Sequence, residues 1–571
     1  MIAIAYISHK KIMFRHIFAS ALVIASVIST TLVTNYVAAE SPAVSDPLLK
    51  AMQAELDREK SLLLLPGMQR PYFIEYRLDD VSSYEAVASY GALTREEGNR
   101  QRIVRVSVRI GDYTLDSSSS QGDGVVELAP TDDNPEALRY ALWTATDTAY
   151  KNSLRAYSAK QAALKQFQST STQADFAQAK PLVHVSPLVS LDLDRAEWKH
   201  RLVEASGLFA SDPEVKPFAE HVQYSIANLR GIALNRYLVN TEGTAVRHGY
   251  TGYTASISVG GQAPDGMRLA RDNGPTTVSA NQLESAAAFR KRTIEDLKSL
   301  EALRNAPVVA ADDYHGPVLF SGDAAAATFD RLFVPNIEAD RPEMGTTART
   351  TGTYSSSYKA RVLPANLSVT DNPLQTTFDG KALVGAYAID DEGVPAQRVA
   401  IVVNGKLENF LIGREPVKDF ASSNGHGRAA PAQPAHARSG VMLIQSAEGS
   451  KPQTKDALNQ HLLALAKEQS RDVYEVETLG GDELIPRLLY RVHLDGTRQL
   501  VRGAAFDELD NRTLRSGIIG IGNDPYISNT LGPVPQTTIA PSMLFEDIGV
   551  KRATVEQQKL PYYPSPPLPA K

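Results

Sequence analysis

Two carboxylates and a histidine lie together just before a short apolar stretch near the middle of the chain. Asp312, Asp313 and His315 directly precede the apolar run Val318–Phe320. A histidine beside carboxylates can bind a metal ion or exchange protons with a substrate, so these residues are candidate catalytic groups. A polar connection between a helix and a strand would have the same composition, and both interpretations stay open.

A second cluster of ionisable side chains lies about a hundred residues later, in a segment rich in glycine, alanine and proline. It contains His426, Arg428, His436 and Arg438. Paired histidines can bind a metal ion, and arginines can hold a carboxylate. We take these four residues as substrate-binding candidates, and a solvated loop that carries unrelated charges is the alternative.

The standard catalytic motifs are missing from the sequence. It contains no His-Glu-x-x-His, no Gly-x-Ser-x-Gly and no phosphate-binding glycine loop. Ser356 and Lys359 have the Ser-x-x-Lys spacing of acylating enzymes, but they lie in a polar serine run typical of a strand or loop. The chain has no cysteine, which excludes disulfides, thiol catalysis and cysteine-ligated metals.

The first 39 residues have the three parts of a secretory signal peptide. Lys10, Lys11 and Arg15 supply positive charge, residues 17–33 form an uncharged apolar run, and small residues precede a predicted cleavage after Ala39. A retained membrane anchor is the alternative, although the run is close to the lower length limit for a span. The sequence predicts a periplasmic or secreted protein that has no membrane span after cleavage.

The charge of the mature chain argues against nucleic acid as a partner. The full sequence has 59 Lys and Arg against 65 Asp and Glu, and the signal peptide holds three of the basic residues. The mature chain therefore carries a net charge of −9. Binding to phosphates requires a concentrated basic surface, and the composition does not favour one.

The spacing of apolar residues predicts an α+β fold around these candidates. The N-terminal half mixes helices with alternating strands, whereas the sequence from His315 onward is mainly strand-like. We place the boundary near Asn305, which gives domains over residues 40–305 and 306–556 and a Pro-rich tail over 557–571. Helices are predicted over residues 46–64, 134–167, 217–229, 279–303, 324–333 and 454–468.

Several short stretches resemble the TldD/PmbA family. The most specific is Asp390–Gln397, which reads Asp-Asp-Glu-Gly-Val-Pro-Ala-Gln. Weaker matches occur in the family's order at Leu238–Thr244, Gly316–Phe320, Val403–Leu407, Asn424–Ser439, Arg502–Phe506 and Ala540–Asp547.

This resemblance implies a two-domain fold, mixed α/β in its N-terminal domain and β-rich in its C-terminal domain, that assembles into dimers around an internal cavity. It also implies a zinc-dependent peptidase that acts on unfolded peptides. In the active subunits of the family, a helix carries His-Glu-x-x-x-His and a later cysteine completes the zinc site. Zinc would lower the pKa of a bound water, and the glutamate would take its proton.

The sequence departs from that pattern where the metal should bind. Phe329 and Val334 stand where the family resemblance places the two histidines, and neither can ligate zinc. Asp330 stands at the position of the catalytic glutamate, and we read it as a surface charge on an amphipathic helix. We therefore expect no zinc cofactor, and the chain resembles the family's non-catalytic partner subunit.

Three functions remain open. The first is a subunit without its own metal that binds peptides or unfolded segments, by β-strand addition, as a homodimer or paired with a zinc-bearing relative. The second is an active hydrolase that uses another site, either Asp312, Asp313 and His315 or the loop of His426 and His436. The third is a structural role in the cell envelope.

Overall fold

The computed structural model describes residues 45–118, 124–166, 173–310, 314–342, 349–481, 483–554, 558–561 and 566. The signal peptide, Asp312, Asp313 and most of the Pro-rich tail lie outside the described residues. Residues 42–571 belong to one compact unit. The domain limits at residues 305 and 556 stay predictions.

Four α-helices lie in the described part of the N-terminal half. The first begins at Pro47, and the carboxylate of Asp46 accepts hydrogen bonds from the backbone N–H of Leu48 and Leu49 at 3.0 and 2.9 Å. Capping of this kind satisfies the free N–H groups of a first helical turn. The helices are α1 (Pro47–Leu62), α2 (Pro135–Gln166), α3 (Arg195–Ser211) and α4 (Ala286–Asn305).

One large sheet carries these helices. Its strand order is β3-β2-β1-β5-β6-β4, and β7 and β8 also pair with β6. The long strands β1, β2, β5 and β6 are antiparallel neighbours, and β4 pairs parallel with β6. The strands are β1 (Phe73–Ser89), β2 (Ala92–Arg109), β3 (Val125–Ala129), β4 (Val183–Val185), β5 (Val222–Asn240), β6 (Ala245–Gln262), β7 (Arg268–Asn273) and β8 (Thr276–Thr277).

The structure differs from the predicted helices of this half at two places. The helix predicted over residues 217–229 is a short 3₁₀ turn, Lys216–His221, followed by strand β5. Ser225, Ala227 and Leu229 are all buried, and this period of two is that of a strand rather than a helix. Helix α3 was not anticipated at all.

The C-terminal half contains two further sheets. The first has the order β14-β13-β10-β17-β24-β23, and the second has the order β20-β19-β18-β9-β25-β21 with β22 paired to β25. The strands of the first are β10 (Leu367–Asp371), β13 (Val399–Val403), β14 (Lys406–Leu407), β17 (Val441–Ser446), β23 (Tyr526–Thr530) and β24 (Gln536–Ala540). Those of the second are β9 (Tyr314–Phe320), β18 (Val473–Gly480), β19 (Ile485–Val492), β20 (Arg498–Val501), β21 (Ala504–Asp507), β22 (Ile518–Ile521) and β25 (Met543–Arg552).

Short hairpins and helices complete this half. Two two-residue pairs lie outside the sheets, β11 (Thr377–Phe378) with β12 (Lys381–Ala382) and β15 (Gly427–Arg428) with β16 (His436–Ala437). The helices are α5 (Gly322–Leu332), α6 (Val334–Ile337), α7 (Lys455–Glu468) and α8 (Asn511–Ser516). The predicted α+β class, mixed in the N-terminal half and β-rich in the C-terminal half, is confirmed. Among the helices within the described ranges, none is long and apolar enough to cross a membrane.

Candidate functional site

Helix α5 lies where both C-terminal sheets meet. It contacts β18 and β9 of one sheet and β23 and β24 of the other. The helix starts after Ser321, whose Oγ accepts from the backbone N–H of Ala324 and donates to the carbonyl oxygen of Glu477 at 2.6 Å. Phe329 is fully buried in the core on its inner side, and burial of such a side chain stabilises the fold by about 2–3 kcal/mol. The helix is therefore firmly positioned.

The other side of α5 carries two carboxylic acids, Asp323 and Asp330, which we call the acidic face of α5. They are seven residues apart, so they point the same way about 10 Å apart along the axis. Asp330 accepts a hydrogen bond from the hydroxyl of Thr538 on β24. Burial raises the pKa of Asp330 to about 6. Asp330 is thus half-buried and bonded, and the expectation of a solvated surface charge is wrong.

Asp323 has the same chemical character. It is half-buried, and burial raises its pKa to about 6 although Arg271 acts in the opposite direction. Carboxyl groups with such values exist in both protonation states near neutral pH, so each can give or take a proton.

Strand β23 lies beside this acidic face and forms the last strand of its sheet. A Cβ atom on Gly322 would lie 2.6 Å from the Cβ of Tyr526, so glycine is needed for the close approach of α5 to the strand. Burial and the charge of Asp323 raise the pKa of Tyr526 to about 12. Ser528 is the cross-strand partner of Thr538, the residue that holds Asp330. We call the outer side of Tyr526–Thr530 the β23 edge.

Zinc does not fit α5 and the start of α6, where the family resemblance places its ligands. Phe329 is fully buried and Val334 is 4% exposed, both within the hydrophobic core, and the Asp330 carboxylate is bonded to Thr538. Across the part of the chain that the structure describes, no group of three His, Cys, Asp or Glu side chains could hold a metal ion. We therefore derive no reaction step through a metal.

His315 lies away from the acidic face. It is exposed at the start of β9, with its Nδ1 4.0 Å from Oδ1 of Asp547. Its carbonyl oxygen accepts a hydrogen bond from Arg471. The strand from His315 to Phe320 is about 16 Å long, and α5 follows it. His315 and Asp330 are therefore not brought together.

The two histidines of the second cluster face different partners. His426 is fully buried, with Nδ1 3.0 Å from the carbonyl oxygen of Asn424 and Nε2 3.2 Å from Oδ1 of Asp371. His436 is 45% exposed, and its Nδ1 lies 3.5 Å from Oδ1 of Asp340. A hydrogen bond to Asp340 raises the pKa of His436. The cluster is thus neither a solvated loop nor a paired-histidine site.

Arg438 forms an ion pair with a partly buried carboxylic acid, Glu338, which the sequence analysis did not identify. Its Nη1 donates to Oε2 of Glu338 at 3.3 Å and to the carbonyl oxygen of Ala437 at 2.7 Å. Burial raises the pKa of Glu338 to about 7 in spite of Arg438. Glu338 also accepts from the backbone N–H of Ser439 at 3.0 Å, so this group fixes the chain after β16.

Arg428 belongs to a buried ion cluster centred on Asp391. The carboxylate of Asp391 lies 2.6 Å from Nη1 of Arg236 on β5 and accepts from Nε of Arg428 at 3.1 Å. Although burial opposes ionisation, Arg236 and Arg428 hold the pKa of Asp391 well below its usual range. Nε2 of His248 is 3.5 Å from the same carboxylate, and burial lowers the pKa of that histidine to about 4. The cluster joins the two halves of the chain.

The neighbouring Asp390 has the opposite character. It accepts hydrogen bonds from the backbone N–H of Val394 and Gly427 at 2.8 and 2.9 Å. Burial raises its pKa to about 7. The Asp-Asp-Glu-Gly-Val-Pro stretch therefore forms a turn in which Asp390 accepts only from backbone N–H groups. Asp391 pairs with the arginines and also accepts from the backbone N–H of Ala429 at 2.7 Å.

Comparison with known proteins identifies the C-terminal domain. Residues 313–552 match the PmbA/TldA metallopeptidase C-terminal domain. Residues 313–552 are thus a domain of the TldD/PmbA family, as the sequence resemblance predicts. No curated protein sequence matches this chain significantly.

Solved structures have the same fold at low sequence identity. The chain is similar to a Thermotoga maritima protein described as a candidate modulator of a DNA gyrase, with TM-score 0.60, 15% identity and coverage of 88% of this chain and 99% of that one. It is also similar to TldE from Thermococcus kodakarensis, with TM-score 0.57, 13% identity and coverage of 88% and 99%. A third similar structure, from Bacteroides thetaiotaomicron, has TM-score 0.52, 12% identity and coverage of 89% and 100%. The predicted TldD/PmbA-like fold is confirmed.

Proposed function

We propose that this chain is an exported, peptidase-like member of the TldD/PmbA family that binds peptides or unfolded segments and has no zinc site of its own. The observation that carries the proposal is the composition of α5 and of the first residue of α6. Phe329 and Val334 are core residues where the family resemblance places zinc ligands, while the opposite side of the helix faces strand β23.

Peptide binding is proposed at the β23 edge. An extended peptide can add to the outer strand of a sheet through backbone hydrogen bonds, which accept many sequences. The side chains of Tyr526–Thr530 include no charged group. Added peptide would lie next to Tyr526, which is 44% exposed and close to Asp323. The end of β23 is in contact with other segments, since Asn529 donates to the carbonyl oxygens of Ala382 and of Thr276 on β8 at 2.9 and 3.3 Å, so a peptide would add along Tyr526–Ser528.

The N-terminal sheet also has an outer strand, which suits a peptide less well. Residues 92–101 of β2 are all exposed, and β3 pairs with β2 only from Arg102 onward. This segment carries Arg95, Glu96, Glu97 and Arg100. Charged side chains on an outer strand are a common protection against pairing with another chain. We therefore favour β23.

Export and assembly complete the proposal. The predicted signal peptide over residues 1–39 directs the chain to the periplasm or the medium, where peptides would be its ligands. It would act as a homodimer or with an exported zinc-bearing relative, because a cytosolic partner would not meet it. Co-purification from the native host tests the assembly, and recovery of neither a second copy nor a relative would contradict it.

Proline substitution tests strand addition. Successive N–H groups of an outer strand alternate between the neighbouring strand and the open side, so either Ile527→Pro or Ser528→Pro removes only an outward donor. Proline is tolerated there because no ladder bond is lost. In fluorescence anisotropy with a labelled unfolded peptide, the variant that keeps its melting temperature should bind at least about ten-fold more weakly than the unmodified chain.

The matched control is the same pair of substitutions on the β2 segment, Asn99→Pro and Arg100→Pro, which should leave binding unchanged. Unchanged affinity in both β23 variants would rule out this binding mode. Metal analysis of the same preparations should find no stoichiometric zinc. Stoichiometric zinc that is lost in His436→Ala would contradict the proposal that the chain has no metal site.

A second candidate function is hydrolysis that uses Asp330 as an acid or base. It is favoured by the pKa of about 6 that burial gives this carboxyl group at the position of the family's catalytic glutamate. Cleavage of unfolded casein by the purified chain, lost in Asp330→Asn but kept in the surface variant Glu197→Gln, would support this function over the first.

A further inference from the structure

A groove of about 350 Å³ lies between α1 and α2, far from helix α5 in the sequence. We call it the aromatic groove. Its lining residues are Glu55, Arg58, Glu136, Arg139, Tyr140 and Trp143. Tyr140 and Trp143 are 69% and 46% exposed, and their rings meet edge to face with centroids 6.2 Å apart. Tryptophan is usually well buried, so an exposed aromatic pair beside a groove indicates a binding surface.

The charged lining residues are held in place by one another. The buried Glu55 accepts from Nε of Arg139 at 3.0 Å and also from Arg58. Glu136 is 73% exposed at the rim, 3.6 Å from Nη1 of Arg139. The groove thus presents two aromatic faces on a fixed polar floor, with one carboxylate at its edge.

The chain itself contains a ligand of the matching chemistry. Residues 558–571 read Gln-Lys-Leu-Pro-Tyr-Tyr-Pro-Ser-Pro-Pro-Leu-Pro-Ala-Lys, with five prolines. Pro564 and Pro567, and Pro566 and Pro569, are three residues apart. Proline-rich sequences favour a polyproline II helix with three residues per turn, and such helices dock on grooves lined by aromatic side chains.

The Pro-rich tail cannot reach the aromatic groove of its own chain. Gln558 accepts and donates hydrogen bonds at Gln262 and Gly266, beyond one end of β6. Arg247, near the other end of β6, pairs with Asp46 at the start of α1. The strand between Arg247 and Gln262 is about 50 Å long, and Glu55 is only about 14 Å along α1 from Asp46. A polyproline II helix from Gln558 to Pro569, the last proline of the tail, spans about 34 Å. The two lengths above leave at least about 36 Å between Gln262 and Glu55, so the tail is too short.

We infer that the aromatic groove between α1 and α2 binds the Pro-rich tail, residues 558–571, of a second copy of this chain. The prolines pack on the rings of Tyr140 and Trp143, and the lysines of the tail approach Glu136. In this arrangement, the tail of one copy binds the groove of the next copy. It is independent of the peptide site proposed at β23.

The test uses the full mature chain and a fluorescein-labelled peptide of residues 558–571. The chain has two tryptophans, and Trp198 is 5% exposed, so a shift of the emission on titration with unlabelled peptide reports on Trp143. We expect binding that weakens at least about ten-fold in Trp143→Ala and in Tyr140→Ala. Peptide in which all five prolines are alanine should bind equally weakly to the unmodified chain.

Leu128→Ala is the matched control, because Leu128 is 70% exposed on β3 and lies outside the groove. It should bind the peptide as tightly as the unmodified chain does. In sedimentation analysis, Trp143→Ala should also reduce concentration-dependent association of the full chain, while Leu128→Ala should not. Peptide affinity that is the same in Trp143→Ala and in the unmodified chain, or binding of the all-alanine peptide at full strength, would overturn the inference.

Discussion

Replacing Asp330 by asparagine is expected to stabilise the protein at neutral pH and to leave its stability unchanged in acid. Burial raises the pKa of Asp330 to about 6 from an ordinary value of 3.8. Its folded state therefore binds a proton more tightly than its unfolded state does. The stability that this group contributes is complete below about pH 4 and is lost as the pH rises through about 6.

The magnitude follows from the size of the shift. A difference of about two pKa units corresponds to about 3 kcal/mol between the two protonation states, as an upper value. Asparagine resembles the protonated acid, and its amide oxygen can still accept the hydrogen bond from Thr538. Asp330→Asn should therefore raise the free energy of unfolding by about 2–3 kcal/mol at pH 7.5 and by less than about 0.5 kcal/mol at pH 4.

Urea unfolding followed by circular dichroism at both pH values measures the difference. Glu197→Gln is the control, because Glu197 forms a surface ion pair with Arg201 one helical turn away, and such pairs contribute about 0.3–0.5 kcal/mol. If Asp330→Asn destabilises the protein equally at both pH values, then Asp330 is ionised and stabilised in the folded state, and our account of the acidic face is wrong.

Two further predictions concern the ion cluster around Asp391 and the cap of α5 at Ser321. Asp391→Asn should destabilise the protein by about 3–5 kcal/mol in urea unfolding, because it leaves the buried Arg428 without its carboxylate and Arg236 with Asp79 alone. A loss within about 0.5 kcal/mol, as for Glu197→Gln, would show that the fold does not depend on the cluster. Ser321→Ala should cost about 1–2 kcal/mol in thermal unfolding, because it removes both the cap of α5 and the hydroxyl donor to Glu477, whereas Ser321→Thr should retain most of the stability.

The sequence predicted the helices whose apolar residues recur at regular spacing. It failed where a pattern is short, or where the same residues fit two different structures. Helices α2, α5 and α7 were placed within a few residues because their buried positions recur at helical spacing. Helix α4 begins after Ser285 and not after Ser279, since two serines a few residues apart both fit a cap. The start of β5 was read as helix because Ala227 and Leu229 are also good helix formers.

The sequence identified residues of the candidate site but not the partners that hold them. Phe329 and Asp330 were recognised at the position of the missing metal motif. The hydroxyl that holds Asp330 belongs to Thr538, 208 residues away. In the same way, the partner of His426 is Asp371, 55 residues earlier. Such pairs depend on which strands become neighbours, and local sequence does not contain that information.

The opposite ionisation of Asp390 and Asp391 explains why two adjacent acids occur at this turn. A single carboxylate would have to satisfy both the backbone N–H groups of the turn and the guanidinium groups of Arg236 and Arg428. With two, Asp390 accepts from Val394 and Gly427, and Asp391 neutralises the arginines while it accepts from the backbone N–H of Ala429 alone. Arg236 also pairs with Asp79 at 2.6 Å, whereas the ion pair of Arg428 is with Asp391. Because a buried arginine without a carboxylate would cost several kcal/mol, the second acid is what allows the Arg428 hairpin to pack against β5.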